Sequence, residues 1–119
     1  MNVLDRSALL STVDGDEDLL RDLCALFLGS YPTFISQIRD AVTSNDGDAL
    51  ARAVHTLEGS GGHFLTDPAR ALLTDLQRIG RLQDLNTAPA RLADLEAEIN
   101  RLKPELSILA AGVIQSRDE

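Results

Sequence analysis

The sequence predicts an all-α protein: an antiparallel up-down-up-down four-helix bundle with a short extra helix at its N-terminal end. Three observations predict it. Apolar residues recur at steps of three and four along nearly the whole chain, the spacing of one helical face. Aromatic residues are few (Phe27, Tyr31, Phe34, Phe64, no Trp), so the core is built from Leu and Ala, which favour helix over sheet. The 119 residues suffice for one domain with a real core and no disulfide or metal to staple it. No internal repeat, low-complexity segment or linker divides the chain, so residues 1–119 are expected to form one domain, with its core over about 4–110 and a frayed tail over 111–119.

The elements follow in order. Residues 5–12 read as a short opening helix, and Asp14-Gly15-Asp16 as a turn that caps the next. The second helix spans about Glu17 to Ser44, its stripe carried by Leu20, Cys24, Phe27, Tyr31, Phe34, Ile38 and Val42. Pro32 removes one backbone bond, so a kink or break is expected near Gly29-Ser30. After the turn Asn45-Asp46-Gly47-Asp48, a third helix carries Leu50, Ala53, Val54, Leu57, Gly61 and Phe64 on one face. Asp67-Pro68 reads as a cap followed by proline at the first helical position, opening a fourth helix with Leu72, Leu73, Leu76 and Ile79 that ends near Gly80-Arg81. Thr87 caps a fifth helix whose seam is Ala88, Leu92, Leu95, Ile99, Leu102, Leu106 and Leu109, with Pro104 bending its far end.

The charge excludes some functions. Eleven basic against 19 acidic residues give a net charge of −8, which opposes both nucleic-acid backbones and anionic membrane surfaces. Cys24 is the single cysteine, so no internal disulfide, thiolate cluster or CxxC redox pair is available. Met1-Asn2-Val3-Leu4-Asp5 lacks the pattern of a signal peptide, and the longest apolar run, Ile108 to Ile114, is too short to span a membrane. A soluble, cytoplasmic, monomeric protein is the expectation.

The third helix is the unusual one. With Leu50 at zero and about 100° per residue, Val54, Leu57, Gly61 and Phe64 fall within roughly 40° of the core direction. His55 falls at about 140°, facing outward, with Ala51, Arg52, Gly59 and Gly62 as its wheel neighbours. Glycine inside a helix costs about 1 kcal/mol against Ala, so Gly59 and Gly62 ask for a compensating reason, such as close approach of another protein to the imidazole. The same residues also fit a plain solvated histidine and a helix end, with Gly59 as C-cap and 60–66 as loop. His63, two turns along and about 80° away, reads as a surface residue at the helix end.

His55-Thr56-Leu57-Glu58-Gly59-Ser60-Gly61-Gly62 resembles the signature of the histidine-containing phosphotransfer (HPt) domains: a His, an apolar residue two on, a Lys three on, a Gly four on, then small residues. The long helix before it, with Phe27-Leu28 and Pro32, the lead over Asp46 to Ala53, and the helices at Leu72 to Leu76 and Leu92 to Leu102 extend the resemblance over roughly 4–106. It implies a phosphorelay intermediate. His55 would take a phosphoryl group from an aspartyl phosphate on a response-regulator receiver domain, in some systems part of a hybrid sensor kinase, and pass it to another receiver. No cofactor is expected on this chain; Mg²⁺ would come with the receiver. An exposed imidazole is largely neutral near pH 7, as a nucleophile must be, and in-line phosphoryl transfer asks mainly for positioning and charge neutralisation.

Two residues depart from the pattern. Leu65 stands where many members have Gly, and Glu58 stands where the family has Lys. A like charge at about 4 Å in water costs roughly 1 kcal/mol, so Glu58 weakens phosphoryl binding. Glu58 could instead accept a hydrogen bond from the imidazole, pair with Arg52 or Arg81, or be simply solvated. The alternative function is a degenerate HPt-like adaptor that binds a receiver without transfer. A metal site on His55-x-x-Glu58 is disfavoured, because bundle metal ligands point inward and no second such pair exists.

Overall fold

A computed structural model describes residues 6–111 of the chain. The described residues are all helical apart from turns and contain no strand. There are five α-helices: α1 (Arg6–Ser11), α2 (Glu17–Thr43), α3 (Gly47–Gly61), α4 (Asp67–Leu82) and α5 (Ala88–Ala111), with a 3₁₀ turn at Gly62–Phe64 between α3 and α4. Of the expected tail over 111–119, Ala111 closes α5, while residues 112–119 and those before Arg6 lie outside the described residues. None of these helices is long and apolar enough to cross a membrane.

Short polar side chains fix where the helices start. The Asp16 carboxylate accepts the Leu19 amide at 3.0 Å, and Asp46 accepts that of Ala49 at 3.0 Å, each satisfying an amide that the first turn leaves without a partner. At α4 the expectation was one residue late. Thr66 is the cap, its hydroxyl accepting the Ala69 amide at 3.3 Å, while Asp67 and Pro68 already lie in the first turn. Thr has the same capping chemistry as Asp, and proline is tolerated anywhere its missing amide would be unpaired. At α5 Thr87 serves through its carbonyl, which accepts the Arg91 amide. The tight turns use Asp14, Gly15 and Asn45 at positive φ, residues that adopt left-handed backbone readily.

α2 passes Pro32 as one 27-residue helix that ends at Thr43, so of the expected kink or break no break occurs. Pro32 is exposed, so only the bond to the Leu28 carbonyl is lost and the ring meets solvent rather than core. α4 continues past Gly80 to Leu82 and ends on Gln83 at φ 59°. Gly80 is there for packing instead. A Cβ on it would lie 2.6 Å from the Gly47 carbonyl oxygen, and one on Gly47 would lie 2.3 Å from the Gly80 carbonyl oxygen. The backbones of α3 and α4 thus touch through two glycines.

The α2 stripe drifts. Leu20, Cys24 and Phe27 are buried as expected, but beyond Pro32 the buried residues are Ile35, Ile38 and Ala41, with Tyr31, Phe34 and Val42 half-buried beside them. Steps of four and three average 3.5 residues, whereas a straight helix turns every 3.6, so the buried edge moves on after two heptads. The α5 seam holds without change, and its helix continues through the exposed Pro104. Among the described residues the interior contains no buried charged side chain. Phe27 stacks against Tyr31 and Phe64 with centroids 5.7 and 5.6 Å away, and a Cβ on Gly61 would lie 2.2 Å from the Phe27 ring. The Cys24 thiol donates to the Leu106 carbonyl at 3.2 Å, tying α2 to α5. Burial pushes this thiol up to about 11, partly offset by a backbone hydrogen bond from Ala110.

Candidate functional site

His55 stands on α3 opposite the buried residues Leu50, Val54, Leu57 and Gly61, and its side chain is exposed. Among the described residues its imidazole makes no hydrogen bond and no ion pair. Both ring nitrogens are therefore uncommitted.

The flanking residues divide into two sides. Arg52 and Thr56 line a groove between α2 and α3 whose far wall is Gln37, Asp40, Ala41 and Ser44. The Thr56 hydroxyl turns back to the Arg52 carbonyl at 2.9 Å. Ala51 lies on the α4 side, half-buried, 3.4 Å from where a Cβ on Gly80 would stand. Gly59 is inside the helix, exposed, and a Cβ on it would meet no atom within 4 Å. The helix-end reading of Gly59 is corrected: α3 runs two residues further, through Gly61, where the backbone leaves helical geometry at φ −169°.

Gly62 differs from its wheel position. It follows the end of α3, begins the 3₁₀ turn, and is buried rather than outward-facing. The helical projection stops applying where the helix stops. Its nearest outside atom is the Glu58 Cβ, 4.0 Å from where its own would stand. Glu58 itself is half-buried and makes no hydrogen bond or ion pair among the described residues, so neither the expected imidazole contact nor a pair with Arg52 or Arg81 forms. Arg81 follows Gly80, which packs on the opening turns of α3, far along the helix from Glu58.

His63 is exposed as expected, but it has partners. Its ring lies 4.4 Å from that of Phe64, and it lines a cleft of about 530 Å³ with Ala8, Leu9, Arg70, Glu98 and Arg101. Burial lowers its pKa from the ordinary 6.5, and the charge of Arg70 lowers it further. Sequence spacing could not find this cleft, because α1, α4 and α5 supply its walls from distant parts of the chain. The glycine contact between α3 and α4 was missed for a related reason: Gly80 carries the same letter as a helix stop. Among the described residues no three His, Cys, Asp or Glu side chains gather as a metal set.

The family model described as Hpt domain matches residues 22–105, from the first turns of α2 into α5. The chain belongs to the Hpt domain family. The match takes in α3 whole, with His55 and all of its flanking residues. No curated protein and no solved structure matches the chain. Membership in the Hpt family implies phosphotransfer in signalling and interaction with receiver domains.

Proposed function

We propose that the chain is a phosphorelay intermediate of two-component signalling, in which His55 accepts a phosphoryl group from an aspartyl phosphate on a receiver domain and returns it to another receiver. The observation that carries this reading is the uncommitted, exposed imidazole of His55 on the α3 face opposite the core, within the span matched as an Hpt domain. The acceptor must be reachable by a second protein, and the chain surrounds it with groups that leave access: Gly59 on one side, the open groove beside Arg52 on the other. The receiver would supply Mg²⁺ and the charges that neutralise the transition state, so this chain contributes a nucleophile and a docking face.

Several finer features belong to the same reading. The Cys24–Leu106 and Arg39–Glu96 contacts between α2 and α5, Gly47–Gly80 between α3 and α4, and Arg91–Asp75 between α4 and α5 support the antiparallel up-down order of a bundle. On α2, Leu26, Ser30, Thr33 and Gln37 follow at steps of four, three and four, and Gln37 lines the groove beside Arg52, which supports docking across α2 and α3. Leu26 is 65% exposed, an apolar side chain available to a partner. We read the chain as a single cytoplasmic domain, monomeric until a receiver docks.

The test is direct. The full chain is incubated with Mg²⁺ and a receiver domain carrying an aspartyl phosphate, and phosphate on the chain is followed. The reading predicts label on the wild type and none on His55→Gln, with the two proteins melting together because His55 makes no side-chain bond in the fold. The second reading, an adaptor that binds a receiver without transfer, is favoured by Glu58, a half-buried acid three residues after the acceptor that forms no ion pair among the described residues. Binding with no label above the His55→Gln background would establish the adaptor and sink the relay.

A further inference from the structure

The arginines whose side chains are described divide into two groups. Arg21, Arg39, Arg70, Arg78, Arg91 and Arg101 each pair with a carboxylate, five of them across one helical turn with an acid three residues away: Asp18, Asp67, Asp75, Asp94 and Glu98. Among the arginines whose side chains are described, only Arg52 and Arg81 have no such partner. For Arg52 the reason is visible. The residue three before it is Ala49, and the acid four before it, Asp48, is taken by the Gln83 amide, which donates to it at 2.9 Å from the end of α4. Asp40 and Asp46 share the groove with Arg52 yet form no ion pair with it. In a chain with 19 acidic residues, an exposed arginine kept free of them stands out.

Its place gives the freedom a use. Arg52 is three residues before His55, one turn along α3, where Cβ atoms stand about 5–6 Å apart. The position three after His55 is Glu58. Within one turn of His55 on its own helix, therefore, Arg52 is the sole cation. We propose that Arg52 binds the phosphoryl group on His55, neutralising it from the turn before the acceptor; this rests on the reading of His55 given above. In the transfer, the lone pair of the unprotonated ring nitrogen forms the N–P bond. The P–O bond to the receiver's aspartate breaks, and its electron pair leaves on the carboxylate. The other ring nitrogen keeps its proton. The group left on His55 carries two negative charges on the surface of an acidic chain, beside Glu58, after the receiver and its Mg²⁺ depart. A guanidinium presents a planar fork of donors matched to two phosphoryl oxygens, and Arg52 has no competing acid to abandon.

The experiment separates phosphoryl binding from docking by using a donor too small to dock. The full chain is treated with phosphoramidate, whose P–N bond breaks with loss of ammonia as His55 is phosphorylated. Rate of labelling and lifetime of the phosphohistidine are measured for wild type, Arg52→Gln, Arg52→Lys and Arg81→Gln. Arg52→Gln is expected to slow labelling and shorten the lifetime, together about fivefold, the worth of one charge pair at contact in water. Arg52→Lys should stay within about twofold of wild type, since it keeps the charge. Arg81→Gln should stay within about twofold as well, since it removes equal charge further from His55. Equal behaviour of Arg52→Gln and wild type overturns the proposal. So does an equal fall in Arg81→Gln, which would make the effect one of net charge. An Arg52→Gln defect seen only with a phosphorylated receiver would make Arg52 a docking residue and likewise overturn it. If the wild type takes no label from phosphoramidate or receiver, the reading of His55 itself fails; if it does and Arg52→Gln matches it, only the role of Arg52 falls.

Discussion

The segment from Gly47 to Phe64 has an inward and an outward face, and each carries glycine for a different reason. Inward, Gly61 lies under the Phe27 ring and Gly47 against the backbone of Gly80, so a single methyl at either would collide with something that cannot move aside. Outward, a methyl on Gly59 would meet no side chain or neighbouring element within 4 Å among the described residues. Its cost in helix stability has no return inside the fold, which leaves the approach of another molecule to the neighbouring His55 as its use. The same residue type therefore records internal packing on one face and access on the other, and only the space around it tells which.

The largest effect should come from the inward face. Gly61→Ala is expected to destabilise the protein by about 3 kcal/mol, because the rigid Phe27 ring must be displaced. Thermal melting would read this as a fall of about 10 °C in Tm, and a variant that melts with the wild type would erase the distinction between the faces. The interior beneath that face gives the next effect. Cys24 has its pKa raised to about 11 from 9.0 in the folded state, so its contribution is fully present below pH 9 and is lost as pH rises through 11. The shift corresponds to about 2–3 kcal/mol, and Cys24→Ala should lose this alkaline dependence in denaturant titrations. On the outward face the sign reverses. Gly59→Ala should stabilise by up to about 1 kcal/mol through helix propensity, while slowing transfer from a receiver and leaving labelling by phosphoramidate unchanged. A stabilised variant with undiminished receiver transfer would remove access as the reason for the glycine. The smallest effect concerns His63. His63, desolvated and facing Arg70, should titrate below 6.5 by NMR, and Arg70→Gln should move it part of the way back. Its lowered pKa means that its contribution is present above pH 6.5 and lost as pH falls through the folded value.

Much of this was legible without coordinates. The stripes of α3 and α5 follow from spacing alone, because helical geometry leaves one choice of which residues face inward. His55 was legible as an outward residue for the same reason. The misreadings share one cause, which is that a local signal can serve two ends. Pro32 reads as a breaker but lies on the solvent side of α2, where a helix tolerates it. Gly80 reads as a stop but is a contact. Gly62 had a wheel position only while α3 lasted. The freedom of Arg52 was not legible, since Asp48 is at a good spacing to pair with it and is diverted by Gln83, 35 residues away.

The sequence by itself determined the helices, their inward faces, the aliphatic interior and the outward placement of His55, because each depends on residues within a few turns of one another. The tertiary structure alone decided which glycines are packed and which are open, which arginine is left without an acid, and that His63 lines a cleft. Those properties depend on what a second helix brings to the spot, and spacing along one helix carries no information about the neighbour across the groove.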